Sequence, residues 1–203
     1  MIVSEATNPI QMLRKLLASQ NGMLLTSDLT KRGIPRIYLS MLEKNGEVQR
    51  ISRGIYAAAD SLTDEMASLQ ARYKAAIFSH ETALYLLELT DRSPLFFSVT
   101  VPSGYNATTL KASGTKVYFV NRALYPLGRI TTKSPHANDI QTFNLERTIC
   151  DVLRSRNQID IQFVTMALKS YVRHKDKNLD QLFDFAGQFR IQKVVREYME
   201  ILL

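Results

Sequence analysis

The sequence predicts an α+β protein: an N-terminal winged helix-turn-helix followed by a mixed α/β C-terminal domain with a helical tail. Three observations predict it. The first 57 residues give helix, short strand, helix, tight turn, helix and hairpin, in that order. Residues 75–143 then mix short apolar and β-branched runs with one helical segment, and after Asn144 apolar residues recur at helical spacing to the end. The expected organisation is a DNA-binding domain over 1–58, a linking helix over 59–74 and a C-terminal domain over 75–203.

Each element has a local reason. Ile10, Met12, Leu13, Leu16 and Leu17 make a helical stripe, with Asn8 as its N-cap and Pro9 in its first turn. Asn21-Gly22 stops that helix, and Met23-Leu24-Leu25 is long enough only for a strand. Thr26 or Ser27 caps a second helix that Gly33 ends. Pro35 opens a third helix through about Lys44, closed by Asn45-Gly46, whose residues tolerate left-handed dihedrals. Val48, Ile51, Ile55 and Tyr56 flank Ser52-Arg53-Gly54 as a hairpin. Residues 57–61 connect to a linking helix over Thr63–Tyr73. Beyond it, strands are expected at Ala75–Phe78, at Phe96, Phe97, Val99 and Val101, at Val117–Val120, and near 129–132 and 140–143. A helix capped by Ser79 runs to Leu89, and Pro102-Ser103-Gly104 turns the chain. Ile161, Val164, Leu168 and Val172 form one stripe of the tail, and Ile191, Val194, Val195, Tyr198, Met199 and Leu202 another.

Composition is that of a globular chain, 45% hydrophobic and 22% charged over 203 residues, which excludes wholesale disorder and a collagen-like fibre. A single cysteine, Cys150, excludes an intrachain disulfide and a multi-cysteine zinc site, and suits a reducing cytoplasm. No run approaches the length of a membrane span, and Met1–Gln11 carries Glu5 and no basic cluster ahead of an apolar run, unlike a signal peptide. The net charge of +7 favours a polyanionic partner.

That charge is uneven. Residues 1–60 carry +3, and Arg92 to Asn138 holds six basic residues and no acid. On the third helix Ile34, Ile37, Met41 and Leu42 are expected to face the core. Arg36, Tyr38 and Ser40 are then left to read bases, Arg36 by a bidentate grip on guanine. Lys31, Arg32, Lys44, Arg50 and Arg53 are expected to neutralise phosphates, with Thr26 and Ser27 adding hydroxyls and a helix N-terminus. A packing or dimerisation role remains open for this domain. Lys111, Lys116, Arg122, Arg129 and Lys133 form a second basic surface for flanking DNA or for an RNA or nucleotide, unless they are only the solvated face of strands.

Catalytic signatures are weak. His80, His136 and His174 lack metal-ligand spacing, and Cys150 among Thr148, Ile149 and Val152 reads as a buried small hydrophobe. Glu146 and Asp151 are five apart, on different sides of a helix, so a Mg²⁺-dependent nuclease is disfavoured against an Arg147–Asp151 pair along it. No catalytic residue, metal or cofactor is predicted.

The run Gly33-Ile34-Pro35-Arg36 through Leu42, with Arg50-Ile51-Ser52-Arg53-Gly54-Ile55-Tyr56, resembles the winged helix of the AbiEi-type antitoxins of type IV abortive-infection toxin–antitoxin systems. Ser79-His80-Glu81-Thr82-Ala83-Leu84, Val99-Thr100-Val101-Pro102 and Leu145-Glu146-Arg147-Thr148-Ile149-Cys150-Asp151 resemble that family's C-terminal domain, in the same order. The resemblance implies a bacterial, cytoplasmic, non-enzymatic antitoxin and autorepressor. Two copies of it would bind inverted repeats in double-stranded promoter DNA. Its C-terminal domain would counter a cognate nucleotidyltransferase-like toxin in phage defence, without a stable complex. A ligand-responsive winged-helix repressor with no toxin partner is the alternative; it requires an apolar pocket with a few polar groups in the C-terminal domain.

Overall fold

The computed structural model describes residues 8–61 and 63–202. Most of the Met1–Gln11 segment therefore lies outside the described residues. The chain divides into two units, one running to Lys74 and including Lys133–Asp139, the other formed by Ala75–Thr132 and the residues from Ile140 onward.

In the first unit, α1 (Pro9–Ser19) starts where the Asn8 carboxamide accepts the Ile10 N–H at 3.0 Å. Strand β1 (Met23–Leu25) runs directly into α2 (Thr26–Lys31), followed by α3 (Arg36–Lys44), β2 (Val48–Ser52), β3 (Ile55–Ala58) and α4 (Glu65–Arg72). The strands form one antiparallel sheet in the order β1-β3-β2. Leu13, Leu16, Leu24, Leu29, Ile34, Leu39, Leu42 and Val48 fill the space between helices and sheet.

Backbone chemistry sets the turn between α2 and α3. Gly33 sits at φ +66°, where a β-carbon is disfavoured. Its N–H donates to the Thr30 carbonyl at 3.2 Å, and the Ile34 N–H reaches back to Leu29 at 2.9 Å. These two bonds satisfy the last carbonyls of α2, and the buried Leu29 and Ile34 complete the motif. Neither Thr26 nor Ser27 caps α2, contrary to the sequence expectation. Because strand and helix abut, Leu25 takes the cap position without a side-chain bond. The Thr26 N–H instead donates to the Gly54 carbonyl at 2.9 Å, tying the start of α2 to the wing. Gly54 lies at φ +80°, and a β-carbon there would come within 2.8 Å of Thr26 Oγ1, so this junction requires glycine.

At α4, Asp64 accepts the Ala67 N–H at 2.9 Å, while Ser134 and Asn138 donate to its other carboxylate oxygen. All three side chains are buried, and they hold Lys133–Asp139 in this unit.

The second unit is built on β4 (Ile77–Phe78), α5 (His80–Leu86), β5 (Ser98–Pro102), α6 (Thr108–Ala112), β6 (Lys116–Val120) and, apart from their end residues Lys133 and Asp139, β7 (Arg129–Lys133) and β8 (Asp139–Phe143). The sheet order is β6-β5-β4-β8-β7. β4 pairs antiparallel with β5 and parallel with β8, and β5 pairs parallel with β6. A parallel neighbour needs a crossover, which α6 supplies, so the turn expected at Pro102-Ser103-Gly104 is only its first part. Phe96 and Phe97 precede β5 rather than joining it, and Phe96 is exposed.

The tail forms α7 (Leu145–Arg154), α8 (Ile161–Arg173), α9 (Leu179–Gln188) and α10 (Gln192–Leu202). α7 is buried from Glu146 to Leu153 and packs against α5, α8, α9 and α10. Asn144 caps it, accepting the Arg147 N–H at 3.1 Å. No helix among the described residues is long and apolar enough to cross a membrane.

Cys150 is fully buried, its thiol directed at the Leu182 carbonyl at 3.8 Å. Burial pushes the thiol up to about 12, so no thiolate is available near neutral pH. Iodoacetamide at pH 8 should leave the folded chain unlabelled and label it in denaturant. Equal labelling rates in both states contradict this packing.

Candidate nucleic-acid interface

Helix α3 follows α2 across the Gly33 turn, and the β2–β3 hairpin takes the place of the wing. Its inner face is Leu39 and Leu42, with Tyr38 half-buried against the same core. Its outer face is Arg36, Ile37, Ser40, Met41 and Lys44. This corrects two sequence expectations. Ile37 is 58% and Met41 42% exposed, although both were expected inside. Tyr38, expected outside, packs inward. The reason is register: with Leu39 and Leu42 inward, 3.6 residues per turn bring Tyr38 to their side and carry Ile37 and Met41 off it.

Lys31, Arg32, Arg50 and Arg53 are exposed, as is Ser27, while Thr26 is half-buried in its bonds to Gly54. Lys31 stands 3.9 Å from Asp28, a long contact for a side chain that is 77% exposed. Arg50 Nε donates to the Ser52 carbonyl at 3.4 Å, and Arg53 occupies the wing tip. Among the described residues Arg32, Arg36, Lys44, Arg50 and Arg53 make no ion pair with a carboxylate. Arg14 is the exception nearby, taken up by a two-bond pair with Glu47 at 2.8 and 2.9 Å. That guanidinium holds the Glu47 carboxyl below its usual range.

The five cations of the expected second basic surface do not form one patch. Lys111 lies on α6 with its ammonium 5.4 Å from the Phe119 ring, and Arg122 follows β6 and donates to the Ser103 carbonyl at 3.2 Å. Lys116 is engaged by Glu81 at 3.0 Å. Arg129 lies on β7, at the opposite edge of the sheet from β6, and donates to Gln141 at 2.8 Å. Lys133 belongs to the first unit and pairs with Asp139 at 2.7 Å. Proximity in sequence concealed this split, which the non-sequential strand order produces.

The polar groups of α7 are structural partners. Arg147 is fully buried, its Nε 2.9 Å from Asp151, and it donates to the Leu124 and Leu127 carbonyls at 2.8 Å each. Phe143 and Phe189 cover its guanidinium at 4.2 and 4.4 Å. Asp151 takes a second bond from Arg154 at 3.2 Å. Glu146 turns elsewhere, accepting the Asn178 N–H at 2.9 Å and the Tyr171 hydroxyl. The two carboxylates thus serve different partners, and no cluster of three or more His, Cys, Asp or Glu suited to a metal exists among the described residues.

His80, at φ +50°, shares hydrogen bonds with the Ser79 and Ser155 hydroxyls at 2.9 and 3.0 Å and stacks on Tyr118 at 3.4 Å. Burial, reinforced by Lys116, Arg154 and Arg147, pushes its imidazole well below the ordinary 6.5. The folded chain therefore keeps His80 neutral while the unfolded chain takes up a proton below that pH. Stability should fall as pH drops through and below about 6.5, because the unfolded chain binds a proton there that folded His80 does not. His80→Asn should remove this component in denaturant titrations across that window. An unchanged pH slope in the variant contradicts the assignment.

Three helices, a glycine turn and a cation-bearing wing make the first unit a winged helix-turn-helix of the kind used by transcriptional regulators. Residues 11–59 match the family model described as "Transcriptional regulator, AbiEi antitoxin". The match lies within the first unit and supports the AbiEi-type resemblance there. No curated protein matches the chain. Among solved structures, the chain is similar to the RV2827C protein from Mycobacterium tuberculosis, with a TM-score of 0.57 and 14% identity over 88% of this chain and 71% of that one. At that identity the likeness shows the fold.

Proposed function

We propose that the chain is an antitoxin and transcriptional autorepressor. Two copies bind inverted repeats in the promoter of its own operon through the winged helix. The second unit counters a nucleotidyltransferase-like toxin in phage abortive infection, in the cytoplasm and without a stable complex. The observation that carries the DNA reading is the outer face of α3, where Arg36, with no ion pair among the described residues, stands beside Ser40 and Lys44, within a segment that matches a regulator family. Arg36 reads guanine, Ser40 adds a hydroxyl, and the exposed Ile37 and Met41 suit thymine methyl groups. Tyr38 keeps at most its phenolic edge for the groove. Lys31, Arg32, Lys44, Arg50, Arg53 and Ser27 meet phosphates, and Thr26 positions the wing against α2. Of the five cations expected to form a second basic surface, Lys111, Arg122 and Arg129 make no ion pair with a carboxylate among the described residues.

Phosphate contacts and base contacts separate in a salt series. Lys31→Ala and Arg53→Ala should weaken binding to all duplexes alike, each lowering the slope of log affinity against log salt by about 0.9. Sequence-selective losses from either variant contradict their assignment to the backbone. The antitoxin half is tested by co-expression with the neighbouring toxin gene. Growth restored by the full chain supports it, and continued arrest despite full expression contradicts it.

A further inference from the structure

We infer that the second unit holds a binding site for an uncharged, planar molecule bearing N–H donors, recognised by Glu81. A cleft of about 490 Å³ opens between residues 92–98 and 158–163, a size within the range of small-molecule sites. Its floor is formed by the buried Ser98 and Ile159, and Pro94, Phe96 and Phe163 give it apolar and aromatic walls. Flat, π-faced surroundings favour a flat occupant.

The polar end fixes the chemistry. One Glu81 oxygen accepts Lys116 at 3.0 Å and the other the Ser98 hydroxyl at 2.9 Å. A carboxylate offers about four acceptor positions, so two remain for a ligand. Lys116 already balances the Glu81 charge, so a cationic ligand gains little and would face the ammonium, while an anion would meet the carboxylate. A neutral N–H donor suffers neither. The lining is balanced in the same sense: it includes Arg92, 5.7 Å from the Phe163 ring, and Asp160, which caps α8. This inference does not rest on the DNA-binding reading.

The test is an amide chemical-shift titration of the isotope-labelled full chain at pH 7.5. Adenine and benzamide serve as neutral probes, with benzoate and benzylamine as charged counterparts. Adenine or benzamide should shift the amides of Phe96, Ser98 and Ile159 saturably, with the charged compounds at least fivefold weaker. Glu81→Gln should weaken the neutral probe at least fivefold. Ser98→Val, which adds bulk at the floor and removes the hydroxyl that Glu81 accepts, should abolish binding while amides elsewhere keep their positions. Three results would overturn the site: no shift at these amides from either neutral probe, charged probes that bind equally well, or shifts that survive both substitutions.

Discussion

Replacing Asp151 by alanine should destabilise the second unit by about 3–5 kcal/mol, because it strands a buried guanidinium. Arg147 is 0% exposed, sealed by Phe143 and Phe189, and water cannot replace the lost carboxylate. Its bonds to the Leu124 and Leu127 carbonyls satisfy hydrogen bonds without balancing the charge. Arg147→Met alone should also be costly, since it leaves those two carbonyls and Asp151 short of donors. The double variant should then be less destabilised than the sum of the two, with a coupling above about 1 kcal/mol. Denaturant unfolding followed by far-ultraviolet circular dichroism measures all three. A loss below about 1 kcal/mol for Asp151→Ala would mean that the pair is solvated and that α7 is not the keystone of this unit.

The second large effect lies at the other end of the chain. Arg36→Ala should cost about 1–3 kcal/mol of operator affinity, roughly 5- to 150-fold, and relax preference at one base pair. Arg36 is exposed on α3 and makes no ion pair among the described residues, so its removal should leave folding stability nearly unchanged. Fluorescence anisotropy with the upstream duplex and single-base variants separates the two effects. If Arg36→Ala weakened every duplex equally and shallowed the salt slope like Lys31→Ala, Arg36 would be a phosphate contact instead.

The winged helix was legible because its boundaries are made by local chemistry. Asn8-Pro9 starts α1, Gly33 closes α2 and Asn45-Gly46 closes α3, each through bonds spanning a few residues, and Gly54 turns the wing. What local reading misjudged is the face of α3. Ile37 and Met41 are apolar and four apart, so they mimic a core stripe, while tertiary packing on Leu39 and Leu42 decides the register. In the second unit the sequence located most strands but could not order them, because β4 pairs β8 across more than sixty residues. The apparent basic surface failed for the same reason: Lys116 and Arg129 are close in sequence and lie on strands at opposite edges of the sheet. The Arg147–Asp151 pair was visible as an i, i+4 spacing. Its burial was not, since that depends on Phe143 and on Phe189 from α9's end.

The central claim is sequence-specific DNA binding by the full chain. Its most direct test is a gel shift with the duplex immediately upstream of the chain's own gene, against a shuffled duplex of equal length and composition, over a series of salt concentrations. Sequence-specific binding requires a discrete complex on the upstream duplex at concentrations that leave the shuffled one free, with affinity falling steeply as salt rises. Equal retardation of both duplexes at every salt concentration, or of neither, contradicts it.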